Sequence, residues 1–355
     1  MNKKILILLL SGILLCLGGC GNNELENRSF PLAVGMETAD EESRMVFNFP
    51  VLSEIANENA DGSYMSTASM TGKDFFTIEN NYAKSDSKTI DFSHCKALVI
   101  GENFFEDEKR MDALVSYLQN QNRVARNTYL FITKLPMEEL FAMDENLEKP
   151  LGTYLEELLE SDESLKNKQI MTLGKYMDER KNRKEIIYIP VIGNQNDSPA
   201  VTGAYVVRYG KALGETDTRM ALASAFVQGK LEKGFYEDTK GNQWELKQIK
   251  SIYEIQKREE EIDITVTVSL EAVLKNGRIQ DVWEQEKKEA ELKKELEAAL
   301  AQAEKKAKKQ GYDFTNSYKK TGNHAREIYR VYQEQYDAYE KDSRITVVVE
   351  PAVTN

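Results

Sequence analysis

The chain has 355 residues, and its 59 acidic side chains outnumber its 47 Lys and Arg side chains, which gives a net charge of −12 at pH 7. A surface with this excess of negative charge repels nucleic acid and anionic lipid headgroups, so no nucleic-acid partner is expected. A chain of this length is enough for two or three domains, each with its own core.

The N-terminus has the pattern of a bacterial secretion signal. Lys3 and Lys4 precede an apolar run that extends to Leu17 and is interrupted only by a Ser-Gly pair. The run is shorter than the roughly 20 residues that cross a bilayer, and small residues rather than a positive flank follow it. Residues 1–19 are therefore predicted to be a cleaved leader and not a permanent transmembrane helix.

The leader ends in Leu17-Gly18-Gly19-Cys20, which resembles the lipobox of bacterial lipoproteins: a branched apolar residue, two small residues and a cysteine. We expect cleavage after Gly19 and lipid attachment to Cys20, which would hold the chain on the extracytoplasmic face of a membrane. The alternative is an ordinary leader with an incidental cysteine. Loss of Lys3 and Lys4 would leave 45 basic side chains against 59 acidic ones, which is a net charge of about −14. Attachment to the membrane would then depend on the lipid, because each buried methylene contributes about 0.8 kcal/mol.

Up to residue 195 the sequence alternates between strand and helix patterns. The continuous apolar run from Ala97 to Ile100, ended by Gly101, is typical of a buried strand. Apolar residues at helical spacing on one face predict a helix from Arg110 to Gln121. The other predicted elements are strands within 35–51, 128–133, 186–192 and 200–209, a short helix opened by Pro136 and a helix over 151–159.

The clearest loop signal of the chain is the polar segment from Gly193 to Pro199. We place the domain boundary there, with one or two N-terminal α+β domains over residues 20–195 and a C-terminal α+β domain over residues 196–355. The alternative is that the two flanking strands form a hairpin inside one domain.

The C-terminal half begins with a helix that Asp217-Thr218 can cap and that Gly229 ends. Strict alternation of apolar and polar residues from Ile262 to Leu270 predicts a strand with one buried face, a pattern typical of antiparallel sheets. Asn276-Gly277 then predicts a turn.

From Val282 to Lys309 the sequence is dominated by Glu, Lys, Ala and Leu, which predicts one long helix. Its apolar stripe could pack on the C-terminal sheet or form a coiled coil with a partner. We favour packing, because a coiled-coil seam needs apolar a and d positions over more heptads. The stripe consists of Leu292, Leu296, Ala299, Leu300, Ala303 and Ala307.

The chain is predicted to end in a helix and a strand. The helix has Ile328, Tyr332 and Tyr339 among the apolar residues of one face, together with Val331 and Tyr336, and the strand follows over 345–350. The elements together predict a multi-domain α+β fold, in which mixed and antiparallel sheets pack against helices and the C-terminal domain contains one long charged helix.

The residues that could carry catalysis are few. His94 and His324 belong to no zinc-binding pattern, and the sequence has no Walker loop, nucleophile elbow or dinucleotide fingerprint. His94 and Cys95 are adjacent, so on a strand they would point to opposite faces and could not share a proton. We expect Cys95 to be buried, and no catalytic, cofactor-binding or metal-binding residue, and hence no enzyme.

Two acidic features suggest metal or acid–base chemistry only superficially. Asn57, Asn59 and Asp61 have the spacing that begins a calcium loop, but the twelfth position is Ala68, where a bidentate Glu is needed. The pair Glu156-Glu157 is one of many in a chain with 59 carboxylates. We interpret the first as a polar turn and the second as a solvated face.

A series of short segments runs through the whole mature chain in a consistent order and spacing. They are Cys20 with Glu24-Leu25, the segments 33–37 and 94–102, Tyr117-Leu118 leading to Arg123 and Asn127, the segment 203–207, the Lys- and Glu-rich helix, Tyr312-Asp313-Phe314 and the segment 347–349. In these segments the sequence resembles the Ger(x)C family of spore germination lipoproteins, the C subunits of germinant receptors.

The sequence departs from that family at several positions. Gly21-Asn22-Asn23 stands where the family has Trp-Asp, and Glu37 replaces the aspartate of its Gly-Ile-Asp strand. The segment from Phe314 to Ser317 replaces a Phe- and Gly-rich stretch, and Tyr329 lies near a family Trp. The resemblance therefore indicates a divergent member whose partner surface in this region is altered.

The resemblance implies a subunit without catalytic residues that is needed for germination in response to nutrients. It would lie on the outer face of the spore inner membrane, beside a multi-pass A subunit and a transporter-like B subunit. Two other classes of function are an extracytoplasmic solute-binding lipoprotein of a transporter and a cell-wall enzyme. The predicted antiparallel sheet argues against the first, whose lobes have parallel sheets, and the sequence offers no residue set for the second.

Overall fold

The computed structural model describes residues 27–51, 65–121, 124–161, 171–182 and 185–354. The strands in chain order are β1 (Arg28–Ser29), β2 (Ala33–Ala39), β3 (Glu42–Pro50), β4 (Met65–Gly72), β5 (Thr89–Ile90), β6 (Ala97–Gly101), β7 (Tyr129–Thr133), β8 (Ile186–Gln195), β9 (Ser198–Arg208), β10 (Lys211–Thr216), β11 (Lys233–Glu237), β12 (Gln243–Arg258), β13 (Glu261–Leu274) and β14 (Ser343–Thr354).

The helices lie between these strands. They are α1 (Phe75–Asp86), α2 (Glu102–Glu106), α3 (Glu108–Gln121), α4 (Met137–Ala142), α5 (Leu151–Ser161), α6 (Leu173–Asn182), α7 (Thr218–Val227), α8 (Val282–Lys309), α9 (Ser317–His324), α10 (Arg326–Val331) and α11 (Tyr336–Asp342). In the part of the chain that these ranges cover, no helix is both long enough and apolar enough to cross a membrane.

The larger sheet has eight strands in the order β10-β9-β8-β7-β6-β2-β3-β4. Its four central strands run parallel, because helices connect them across the sheet, and antiparallel hairpins extend it on both sides. The central strands are buried on both faces, which explains the continuous apolar run predicted for β6. A smaller sheet has the order β11-β12-β13-β14, and β14 runs parallel to β13. The predicted α+β fold with mixed sheets is confirmed.

The two faces of the larger sheet are covered differently. Helices α1, α2, α3 and α6 pack on one face and form a single core with it. On the other face, α4 and α5 cover the middle of the sheet, from β3 to β7. The remaining part of that face, which includes Ile186, Tyr188, Ala204 and Val206, belongs to the core of the C-terminal half. One continuous core therefore joins the larger sheet to the C-terminal elements.

The loop predicted at residues 193–199 is the turn of the β8–β9 hairpin. Gln195 pairs with Ser198, and the two residues between them, Asn196 and Asp197, have φ values of 55° and 59°. Asn and Asp tolerate this left-handed conformation, so a two-residue turn is enough to reverse the chain. The hairpin is the alternative considered from the sequence, and the predicted boundary after Gln195 falls at its tip, within one sheet.

The long helix α8 spans the residues predicted from the sequence, Val282–Lys309, and Asp281 caps it by accepting a hydrogen bond from the Glu284 N–H. Five residues of the apolar stripe are buried in the core beneath the smaller sheet, whereas Ala299 is exposed. The stripe thus packs within the chain, which confirms the packing interpretation against the coiled coil.

The prediction of one final helix across residues 328–339 was wrong. The chain forms two helices there, α10 and α11, with a break between them, and Val331 is 55% exposed. The tyrosines of this segment pack inward from both helices, so their spacing gave the pattern of a single helical face.

Candidate functional site: a buried joint between the two sheets

The predicted lipid-attachment residue, Cys20, lies outside the residues that the structure describes. Cleavage after Gly19 and acylation of Cys20 stay predictions. The described chain begins at residue 27 and enters the short parallel pair of β1 and β5.

His94 and Cys95 were expected to lie on a strand, but they lie before one. A short 3-10 turn, Phe92–His94, precedes β6, and Cys95 ends it. Cys95 is buried with a free thiol, which confirms its predicted burial, and burial raises the pKa of the thiol to about 12. His94 is exposed and contacts the edge of the Phe30 ring instead. A thiol with so high a pKa is not a nucleophile at neutral pH.

The acidic features noted in the sequence form no metal site in the described ranges. Those ranges contain no group of three or more His, Cys, Asp or Glu side chains that could hold an ion. Asn57, Asn59 and Asp61 lie outside them. Glu156 and Glu157 on α5 form ion pairs with neighbouring lysines, as expected for side chains on a solvated face.

A densely hydrogen-bonded segment of the C-terminal half is the short stretch after α8, from Asp313 to Ser317. Both oxygens of the Asp313 carboxylate accept hydrogen bonds, one from the N–H and hydroxyl of Thr315 and the other from the N–H and hydroxyl of Ser317, at 2.6–2.8 Å. Because one carboxylate satisfies four donors, it fixes the backbone of the whole turn.

This turn places the Asn316 side chain against the first residue of β8. The Asn316 amide donates to the Ile186 carbonyl at 2.9 Å and accepts from the Ile186 N–H at 2.5 Å. Asn316 is 2% exposed and has φ 55°, a conformation that Asn adopts more readily than most residues. Its amide thus takes the place of a neighbouring strand, because it bonds to both the N–H and the C=O of a β8 residue.

The backbone of the same turn is tied to the C-terminal elements. Ser224 of α7 donates its hydroxyl to the Phe314 carbonyl at 2.5 Å, and Tyr253 of β12 donates to the Thr315 carbonyl at 2.8 Å. Residues 313–317 therefore connect the larger sheet, α7 and the smaller sheet. We call this segment the joint.

A cluster of tyrosines surrounds the joint. Tyr318 lies at its centre, with ring-centroid distances of 4.9–5.5 Å to Tyr209, Tyr329, Tyr336 and Tyr339. Tyr209 follows β9, whereas the other rings come from the C-terminal helices. Burial raises the pKa of Tyr339 to about 12, so its hydroxyl stays neutral and hydrogen-bonds to Ser317 and Thr321. The cluster adds aromatic contacts across the same boundary.

Charged side chains complete the boundary on two sides. Arg208, at the end of β9, contacts Asp337 at 2.6 Å and Glu340 at 3.0 Å, both on α11. Glu185, just before β8, is 5% exposed and forms ion pairs with Lys319 of α9 and with Lys230. Burial opposes ionisation of Glu185, but the two lysines outweigh it and lower the pKa of this carboxyl.

A second carboxyl at this boundary has the opposite behaviour. Glu179 of α6 lies 3.8 Å from Lys319, and its burial, together with the negative charge of Glu185, raises its pKa to about 7. A structural ion-pair network perturbs pKa values in the same way as an active site does. The two carboxyls and the two lysines therefore form one ion-pair network at the boundary between the sheets.

The sequence departs from the family pattern between Phe314 and Ser317, and the structure places this segment in the joint. Tyr312, Phe314 and Tyr318 are buried, and so are the three residues from Thr315 to Ser317. The sequence signal for their role is the pattern Asp-x-Thr-x-Ser, which is typical of a turn whose aspartate accepts from the residues that follow. The contacts to Ile186 and Arg208 have no local signal, because they join residues that are far apart in sequence.

Comparison with known proteins gives matches in both sequence and fold. Residues 21–194 match the "Spore germination protein N-terminal domain". A curated relative, "Spore germination protein A3" of Bacillus subtilis (strain 168), is 23% identical over 209 residues, which are 58% of this chain. The match covers 55% of that relative, so the chain spans about half the length of the curated relative it matches.

The fold extends the likeness to the C-terminal half. The crystal structure of the GerBC protein matches with a TM-score of 0.60 at 13% identity, over 91% of this chain and 97% of that chain. The joint and both sheets lie within a fold of this type. Over residues 21–194 the chain thus belongs to the spore germination proteins that its sequence resembles, and over most of its length it has the fold of the GerBC protein.

Proposed function

We propose that this protein is the lipid-anchored C subunit of a spore germinant receptor and that it works without catalysis. In this role it is held by Cys20 on the outer face of the spore inner membrane, beside a multi-pass A subunit and a transporter-like B subunit. It supports germination in response to nutrients through protein contacts alone.

The observation that supports this proposal most strongly is the match of residues 21–194 to a domain of spore germination proteins. The joint supports the proposal that the subunit acts by coupling its partners mechanically. A subunit that couples two partners has to transmit force or position between its own parts. The buried hydrogen bonds of Asn316 and the half-buried ones of Asp313 provide a stiff connection.

The direct test is a germination assay on spores that lack this gene, complemented with the wild-type chain or with a joint variant such as Asn316→Ala. We expect deletion to abolish the response to at least one nutrient germinant, and the wild-type chain to restore it. Germination by a non-nutrient route, such as calcium dipicolinate, serves as the control for intact spore machinery. Unchanged nutrient germination combined with failed uptake of a solute would favour a solute-binding lipoprotein instead.

A further inference from the structure

The smaller sheet has one edge that is open to another strand. β11 lies at this edge and pairs only with β12. Asp238, just after β11, donates its N–H to Asn242 at 3.0 Å, and backbone groups of alternate residues point to the same side of a strand. Gly234 and Tyr236 therefore bond to β12, while the N–H and C=O groups of Phe235 and Glu237 face outward.

The opposite edge of the same sheet is blocked. On β14, the Val349 N–H donates to Glu297 at 3.1 Å and the Val353 N–H donates to Glu289 at 3.0 Å, both glutamates of α8. Between them on the same side is Pro351, which has no N–H. Exposed strand edges are usually protected in this way. Among the hydrogen bonds of the described residues, none blocks the outward backbone of Phe235 and Glu237 in a comparable manner.

A groove runs beside the open edge, between β11 and the helices α7 and α8. Its cavity of about 570 Å³ is lined mainly by apolar side chains, including Leu222, Ala223, Phe226, Phe235, Ala299 and Ala303. Phe235 is 66% exposed, although it is a large aromatic residue. An open strand edge beside an apolar groove is the geometry in which extended peptides add to a sheet.

The rim of the groove indicates the charge of the occupant. Arg219 of α7 lies there with a side chain that is 88% exposed, and Lys233 and Lys306 lie on the same rim beside the carboxylates of Asp217 and Glu237. Asp217 pairs with both Arg219 and Lys306, so the rim keeps only a small excess of positive charge on a chain with a net charge of −12. It complements a segment that carries acidic residues beside its apolar positions.

We propose that β11 is the docking site for an extended segment of a receptor partner, which adds to the smaller sheet as a fifth strand. Apolar side chains at alternate positions of this segment fill the groove, and an acidic residue at its end meets Arg219. The five residues of β11 match a strand of about 17 Å at 3.3–3.4 Å per residue. The identity of the partner as a receptor subunit rests on the proposed function, whereas the strand addition does not.

The test is site-specific photo-cross-linking in spores, with the full chain and a photoreactive amino acid in place of Gln302. Gln302 is exposed on α8 and lines the groove, so it reports on any occupant. We expect a cross-link to a segment with alternating apolar residues, identified by mass spectrometry of the joined peptides. A photoreactive residue at Ile252, exposed on the outer face of the same sheet, should cross-link to this segment at least tenfold less.

The matched variants are Phe235→Pro and Phe235→Thr. Both remove the aromatic ring, but only proline removes the outward N–H without loss of a bond to β12. Cross-linking should persist in Phe235→Thr and fall at least tenfold in Phe235→Pro. A thermal melt within a few degrees of wild type checks that Phe235→Pro folds. Ala299→Glu, which places a charge in the groove on an exposed helix position, should also lower the yield.

Three results would overturn the proposal: equal yields in the two Phe235 variants, equal yields from Gln302 and Ile252, or a cross-link only to a second copy of this chain. The last would show that the open edge pairs with itself. If the captured segment belongs to a protein outside any germinant receptor, strand addition stands and the proposed function fails.

Discussion

At the scale of single residues, the structure depends on fully paired polar groups, of which Asn316 is buried and Asp313 half-buried. Asn316 and Asp313 are the main examples, because their side chains replace backbone partners at the boundary between the two halves. The sequence predicts the turn at Asp313 from its spacing to Thr315 and Ser317. It does not predict that Asn316 bonds to Ile186, because this contact joins residues 130 positions apart and depends on the tertiary fold.

Asn316→Ala should lower the free energy of unfolding by about 3 kcal/mol, because it leaves the buried N–H and C=O of Ile186 without partners. Asn316→Gly is the matched control. It loses the same hydrogen bonds but adopts the left-handed conformation without strain, so it should retain about 1 kcal/mol more stability than the alanine variant. Urea unfolding followed by circular dichroism measures both. Equal stability of wild type and Asn316→Ala would show that the joint contributes little.

Glu179 gives the protein a stability that depends on pH. Burial, then the charge of Glu185, raises the pKa of Glu179 to about 7, above its ordinary value of 4.5. Between these pH values the folded state keeps a proton that the unfolded state has lost, so the free energy of unfolding should fall as pH rises through this range. The pKa of Glu185 is lowered from 4.5, so its ionisation changes the free energy of unfolding only at pH values below this range.

In Glu179→Gln this fall should be smaller, because the amide does not titrate. Urea unfolding at a series of pH values from about 4.5 to 7 measures the slope for each variant. A wild-type slope no steeper than that of Glu179→Gln would contradict the assignment of the raised pKa to this carboxyl.

At the scale of elements, the sequence predicts those whose pattern is long and regular. The alternation at 262–270 lies inside β13, and α8 has the predicted bounds. The elements that were not predicted, such as β4, α6 and β10, are short or carry few apolar residues, so packing and not local pattern determines them. The break between α10 and α11 was missed because inward tyrosines from two helices imitate one helical face.

The packing of α8 predicts a clear difference between two positions on the helix. Leu300 is 6% exposed in the C-terminal core, so Leu300→Ala should lower the free energy of unfolding by about 2–4 kcal/mol. Lys294 is exposed, and Lys294→Ala should change the free energy of unfolding by less than about 0.5 kcal/mol. Denaturant unfolding of the two variants tests this difference. Similar values for both would mean that the stripe does not pack as described.

At the scale of the whole molecule, we expect an acidic body that a lipid on Cys20 joins to a membrane. The net charge of −12 gives the body no attraction to anionic lipid headgroups, and no described helix can span a bilayer. The larger sheet and the C-terminal half share one core through the joint, so the body is expected to move as a unit on its anchor. The family resemblance could be read from the sequence and the anchor stays a prediction, whereas the shared core depends on contacts between residues far apart in the chain.

Cys20→Ala should abolish membrane association, because it removes the predicted site of acylation. Membrane fractionation with mass spectrometry of the N-terminal peptide measures the result: the wild-type chain should carry a lipid on Cys20, and the variant should be unprocessed or released. A Cys20→Ala chain that still carries diacylglycerol would contradict the assignment of the lipid to this residue. Cys16→Ala is the control, since Cys16 lies in the predicted leader.

Purification of the affinity-tagged full chain from spore membranes in mild detergent tests the proposed receptor assembly. We expect two multi-pass membrane proteins, one of them transporter-like, to purify with the wild-type chain in fixed ratio. Both should be reduced with the Cys20→Ala chain. A wild-type chain that purifies from the spore membrane without any such protein, from spores that respond normally to nutrients, would contradict its assignment to a receptor.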